Sequence, residues 1–352
     1  MPDAADRLPG LFAGPAAYRT GFEEGLVRML GEPVLGAFIL VLANAGFDPA
    51  LQRRLGSDLR LRFADWQARF DRDDPHAVDA APDDRAVFDG LRRCGIDALG
   101  QTRWRQVGDW WLQFNPLRGL RPPRTSHAPI DTLRRPFDAA AFHFDKPFLR
   151  PEVFWEGDWS GYALRLLLNK FPFATGHALL VPEPAAGLPQ WLEPAWHGLV
   201  WELARQAGRS LPGIGFGYNA HGAYASVNHL HFQQFVEPDR LYPIESARWR
   251  HNGGDEDYPL AVRRIDDRDE AWAAVDSMQS ANLGFNLLYR PGRLYLTPRP
   301  LQGQYRHSAW TGGFAWSEIA GVLTVSDEAA FDALDEAALL AEYRRLTRPA
   351  LD

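Results

Sequence analysis

The stretch GYALRLLLNKFPFATGHALLVP, residues 161–182, holds two short apolar runs separated by a turn around Pro172 and Gly176. Runs of this length, bounded by Pro and Gly, read as strands. Strands need partners for their backbone N–H and C=O groups, so this stretch commits the middle of the chain to a sheet. The same texture starts near residue 100 with RWRQVGDWWLQF and continues through QFNPLRGLRPPR (113–124). It returns in GIGFGYNAHGAYASVNHLHFQQFVE, where a Gly-containing turn at 219–222 interrupts the strand. Between these strands, LEPAWHGLVWELARQAGRS (192–210) is an amphipathic helix with Glu193 and Pro194 at its start.

Either side of this region the pattern changes. Up to about residue 70, FEEGLVRMLGEPVLGAFILVLANAG and ALQRRLGSDLRLRFADWQARF space their apolar residues at three and four, which predicts helices. Asp71–Arg85, acidic and proline-bearing without periodicity, reads as an exposed loop. After the polar break RHNGGDEDYP the order partly repeats. YPLAVRRI predicts a strand, DRDEAWAAVDSMQSANL a helix, and GFNLLYRPGRLYLTPRP two strands joined at Pro291-Gly292. A last strand and a closing helix follow in WSEIAGVLTVSDEAAFDALDEAALLAEYRRLT. Two similar strand–helix–strand units suggest duplication without a residue-level repeat. A chain of 352 residues is long for one core. The expected division is a helical region at 1–100, a catalytic half at 101–247 and a second half at 248–352.

Composition narrows the function classes. A net charge of −7 argues against a general nucleic-acid binder but not against a small anionic ligand. Thirteen Trp and twenty-one Phe suggest well-packed layers and aromatic-lined pockets. Cys94 is the only cysteine, so no intrachain disulfide or thiolate metal cluster can form, and a cytoplasmic compartment is expected. The start, MPDAADRLPGLFAG, lacks the basic and apolar regions of a signal peptide. The longest apolar stretch, Val34–Ala43, is too short to cross a bilayer and predicts a core helix. A soluble protein without membrane or nucleic-acid partners is expected.

NHLHFQ places His229, His231 and Gln233 at alternate positions, on one face of a strand, with Leu230 and Phe232 turned to the core. Three readings compete. The residues are an ordinary polar strand face, a zinc site, or a nucleophile with its supports. A metal site lacks a third and fourth ligand, and Gln is a poor one. A neutral imidazole with one nitrogen fixed presents the other as a nucleophile, and the Gln233 amide can donate to a phosphate oxygen. Gly217, Asn219, Gly222, Ala223 and Ser226 precede the pair. Small residues let backbone amides approach an anion, which favours phosphorus chemistry.

HLHFQ resembles the histidine-triad superfamily in its H-x-H-x-Q branch of nucleotidyltransferases and phosphorylases. GYNAHGAYASVNHLHFQ is similar over its full length to the motif of the GDP-L-galactose and GDP-D-glucose phosphorylases. QFNPLRGLRPPR, LLLNKFPFATGHALLVPE, YPIE (Tyr242–Glu245) and WSEIAGVLTV (Trp316–Val325) also correspond, in order, across roughly residues 105–345. FNLLYRPGRLYLTPR is similar to the C-terminal half of diadenosine tetraphosphate phosphorylase. The first hundred residues match no motif of the family, and His221 stands where the family pattern has an apolar residue. The resemblance implies an α+β fold: a HIT-like antiparallel sheet with flanking helices, in the duplicated arrangement of galactose-1-phosphate uridylyltransferase.

The resemblance also implies roles. His231 is the nucleophile that attacks the α-phosphorus of a nucleoside diphosphate sugar, a GDP-hexose being favoured. Inorganic phosphate then releases a nucleoside diphosphate. His229 supports through its backbone carbonyl, and Gln233 in place of a third histidine goes with transfer rather than hydrolysis, since an amide cannot shuttle a proton. His177 buttresses from the neighbouring strand. Asn169 and Lys170 are candidates for ribose or phosphate contact, Arg118, Arg121 and Arg124 for anion binding, and Phe114 or Phe173 for stacking on the base. Glu318 matches a family position without an assigned role. No cofactor and no metal is expected, and a homodimer is compatible with the reading. The alternatives are a dinucleoside polyphosphate phosphorylase, a nucleotide-sugar hydrolase, and a nucleotide-binding regulatory protein without turnover.

Overall fold

The computed structural model describes residues 8–121 and 129–347. The chain opens with helices α1 (Pro15–Leu30), α2 (Leu35–Phe47) and α3 (Pro49–Asp71). Proline sits in the first turn of α1 and α3, where its missing N–H costs nothing. The Asp48 carboxylate caps α3, accepting from the amides of Ala50 at 2.7 Å and Leu51 at 3.3 Å. The apolar stretch at Val34–Ala43 forms α2 as expected, buried along nearly its whole length between its neighbours. Each fully buried Leu or Phe there contributes about 1.5–3 kcal/mol relative to exposure.

The acidic stretch Asp71–Arg85 departs from the expected loop. It contains α4 (Pro75–Val78) and the start of α5 (Pro82–Cys94). Asp74 caps α4 by accepting from the His76 amide at 2.9 Å, and Pro82 with Asp83 and Asp84 opens α5 at its positive dipole end. The apolar face of α5, Val87, Phe88 and Leu91, lies beyond the acidic window, so the window alone shows no period.

Strands β1 (Arg103–Val107) and β2 (Trp110–Phe114) form a hairpin, followed by the short α6 (Pro116–Gly119). Then come β3 (Val153–Trp159), β4 (Tyr162–Leu168), β5 (Ala178–Pro182), helix α7 (Pro194–Ala207), β6 (Ile214–Asn219) and β7 (Phe232–Val236). The remainder is β8 (Arg263–Ile265), α8 (Arg268–Ser280), β9 (Gly284–Arg290), β10 (Arg293–Arg299), α9 (Trp316–Ile319), β11 (Val322–Val325), α10 (Glu328–Ala333) and α11 (Glu336–Leu346). Eight strands make one antiparallel sheet in the order β3-β4-β5-β7-β6-β9-β10-β8. The α+β class with an antiparallel sheet is therefore as expected. A second sheet, β1-β2-β11, pairs β2 and β11 in parallel.

Two apolar layers cover the large sheet. Phe216, Tyr218, Leu180 and Phe232 face a core shared with α7, α8 and the N-terminal helices. Phe235 and Leu288 face a second core with Trp316 and the small sheet. The alternation follows the two-residue period of strands. The first core runs across residue 100, and both sheets run across residue 247: β6 pairs with β9 in the large sheet, and β11 returns to β2 in the small one.

Candidate active site

β7 lies in the middle of the large sheet, with Gln233 opposite Leu179 of β5 and Gly217 of β6. Continuing the β6–β7 ladder would set Asn219 against His231. The ladder stops instead at Gly217–Gln233, and β7 begins only at Phe232. This corrects the expectation that both histidines sit on a regular strand; they lie on the segment leading into it. The cause is Gln190. Its carboxamide Nε2 donates to the carbonyls of Asn219 at 2.9 Å and His231 at 3.2 Å, and its Oε1 accepts from the His231 amide at 3.0 Å. The side chain takes the place of a peptide group and holds the strands apart there. Leu230 and Phe232 are fully buried, as expected.

His231 is 4% exposed. Its Nδ1 lies 2.8 Å from the carbonyl oxygen of His229. A carbonyl only accepts, so Nδ1 carries the proton and Nε2 keeps its lone pair. The Phe144 ring packs 4.8 Å from the His231 ring. Burial holds the His231 pKa down to about 4, opposed by the bond to the His229 carbonyl. His229 accepts from the Phe144 amide at its Nδ1, 3.0 Å away, and burial followed by the neighbouring His231 holds it at about 4.

His177 precedes β5 and is completely buried. Its Nε2 lies 3.1 Å from the Asn169 carboxamide nitrogen, and the Phe173 ring is 4.3 Å from its own. Burial and then the charge of Arg118 hold its pKa at about 3, against a side-chain hydrogen bond with Gln233. Gln233 in turn accepts at Oε1 from the Trp316 indole at 2.7 Å. Arg118 lies over the Phe173 ring at 5.7 Å, and its part-buried guanidinium lies within the electrostatic reach of the Glu318 carboxyl. Burial raises the Glu318 pKa, and its Oε2 accepts from the Ala315 amide at the start of α9.

His177 thus links Asn169 and Gln233 through hydrogen bonds and feels the charge of Arg118, while His229 holds the His231 ring through its carbonyl. Other candidates are engaged elsewhere. Lys170 forms an ion pair of 2.5 Å with Asp84 on α5. Asn219 is a junction, its Oδ1 accepting from the Trp316 amide at 2.9 Å and from Asn286 at 2.7 Å. Gly222 has a positive φ of 80° that favours glycine, and the Ala223 amide donates back to Ala220 at 2.8 Å. Ser226 is exposed in a bend. The absent Cβ of Gly217 makes room for the Trp316 ring rather than for an anion. Arg121 lies 5.0 Å over the Phe171 ring, and Arg124 falls outside the described residues. Phe114 packs on Phe331 in the second core. His221 is buried, and its pKa is lowered by burial and then by Arg135. Sequence reasoning missed Gln190, for which no signal exists, and Trp316, whose motif marked the segment but not the contact.

The buried rings predict a pH dependence. All three histidines have folded pKa values below the ordinary 6.5. As pH falls from 6.5 towards about 4, the unfolded chain takes up protons that the folded one refuses, so stability falls with pH in that window and is unaffected by these groups above it. Thermal melts at about pH 7 and about pH 5 are expected to show a lower Tm at the acid value. Equal Tm values would mean that the rings are charged in place.

Comparison with known proteins bears on the same segment. Residues 108–235 match the GDPGP1-like N-terminal domain family. The resemblance read from the motifs is borne out over this stretch. GDP-D-glucose phosphorylase 1 of Homo sapiens is 39% identical over 193 residues, covering 49% of this chain and 48% of that protein. GDP-L-galactose phosphorylase 2 of Arabidopsis thaliana is 30% identical over 153 residues, covering 38% of this chain and 35% of its own length. The chain spans about half the length, or less, of the curated relatives it matches. A solved structure of yeast Ap4A phosphorylase aligns with a TM-score of 0.49 at 17% identity, covering 76% of this chain and 96% of that one. No helix among the described residues is long and apolar enough to cross a membrane.

Proposed function

We propose that the chain is a nucleotidyltransferase of the phosphorylase type, acting on a GDP-hexose. The observation that carries this is the His231 ring, pinned at Nδ1 by the His229 carbonyl so that Nε2 is held as a neutral nucleophile. Nε2 attacks the α-phosphorus, the bond to the bridging oxygen breaks, and hexose 1-phosphate leaves with that oxygen. An oxygen of inorganic phosphate then attacks the nucleotidyl-histidine, restoring the lone pair and releasing GDP. Both steps are displacements at one phosphorus, and splitting them is what covalent catalysis provides. Arg118 and the amide of Gln233 supply donors for the charge that develops on the phosphoryl oxygens. The names of the human and Arabidopsis relatives support the choice of substrate.

His229 and His177 support this centre, with Asn169 orienting the His177 ring. Residues 101–247 carry the catalytic half, and 248–352 close it through Trp316. Lys170, Arg121, Arg124, Asn219, Gly222, Ala223 and Ser226 remain part of the proposed nucleotide-binding region. A cytoplasmic compartment fits the single cysteine, and a homodimer belongs to the same proposal.

Incubating the protein with GDP-glucose, with and without phosphate, tests the reading. GDP and glucose 1-phosphate are expected only with phosphate. GMP release at one rate in both mixtures would make the protein a hydrolase instead.

A further inference from the structure

Trp316 lies outside the matched segment 108–235, yet it reaches the centre of the site. It is 1% exposed. Its indole stacks on Phe235 at 5.1 Å and 11° and lies over Gly217, where a Cβ would collide with the ring. From there the indole N–H donates to Oε1 of Gln233 at 2.7 Å. An indole nitrogen donates and never accepts. Gln233 therefore presents its oxygen to Trp316 and turns its NH2 group the other way.

We infer that Trp316 is a positioning residue that sets the polarity of the Gln233 carboxamide, so that Gln233 meets the transferred phosphoryl group as a donor. This rests on the reading of His231 and Gln233 given above. Without the indole N–H the carboxamide can rotate by half a turn about its last torsion. An oxygen would then face the phosphoryl oxygens and repel the charge that develops there. The Trp316 backbone is held independently, its amide donating to Asn219 Oδ1 at 2.9 Å, so the ring's location does not depend on Gln233. Gly217 completes the device: a side chain there would lift the indole away from β6 and break its reach.

Two replacements separate the N–H from the packing. Trp316→Phe keeps an aromatic ring, and exchanging the indole for benzothiophene keeps its shape while deleting the donor. Both are expected to lower kcat for nucleotidyl transfer about 10- to 100-fold with KM for the nucleotide sugar within about twofold, as for loss of a transition-state donor. The benzothiophene protein is expected to melt with the wild type. Wild-type kcat in the benzothiophene protein overturns the inference. The orientation is also read without turnover, from the Gln233 carboxamide N–H resonances. A change on benzothiophene exchange supports the inference, and an unchanged spectrum overturns it. A wild-type protein without phosphate-dependent GDP release instead overturns the phosphorylase reading and leaves this spectral test standing.

Discussion

His231→Ala is expected to lose nucleotidyl transfer by about 10,000-fold or more, because in the proposed mechanism the His231 ring forms the covalent bond. The fold survives. The backbone N–H and C=O of residue 231 remain bound by Gln190, and the deleted ring is held by a hydrogen bond from Nδ1 to the His229 carbonyl. Removing a buried neutral imidazole also removes a group that resists acid, so the variant's loss of stability below pH 6.5 is shallower than the wild type's. Nucleotide binding persists, as calorimetry with GDP checks. Retention of more than about a hundredth of the wild-type rate would place the nucleophile elsewhere.

Gln190 variants fail in a different way. Gln190→Met has nearly the same shape but leaves the His231 amide and carbonyl and the Asn219 carbonyl without their partner, at about 1–3 kcal/mol for each orphaned group. Gln190→Glu brings a carboxylate against two carbonyl oxygens in a site that is 1% exposed, so it is the less stable of the two. At a temperature where the Met variant is folded, the rate of nucleotidyl-enzyme formation is expected to fall about 100-fold, the consequence of a nucleophile displaced by about 1 Å. Thermal melts and rapid-quench measurement of the nucleotidyl-enzyme check both parts. A Met variant with the wild-type Tm and burst rate would show that the ladder, not Gln190, places His231.

Much of the architecture follows from local pattern. The helix at Leu35–Phe47, the hairpin turn at Pro291-Gly292 and the helix opened by Glu193 and Pro194 are each visible in their own residues. The helices within Asp71–Arg85 escaped because one spans four residues and the other buries a face formed by residues beyond that window. The histidines were legible as a motif, and the expected support from the His229 carbonyl is present at 2.8 Å. Lys170 was not, since its partner Asp84 lies 86 positions earlier on a helix that no local pattern ties to β4.

The sequence by itself determined most element types, the core faces of the strands and the motif from which His231 is proposed as the nucleophile, because periodicity and functional-group chemistry are properties of neighbouring residues. Only the tertiary structure decided which nitrogen of His231 is free, why β7 starts where it does, and which way Gln233 points. Those three outcomes depend on hydrogen bonds whose direction is fixed by donor-only or acceptor-only partners. In the case of Gln190 and Trp316, the partners lie 41 and 83 positions away along the chain.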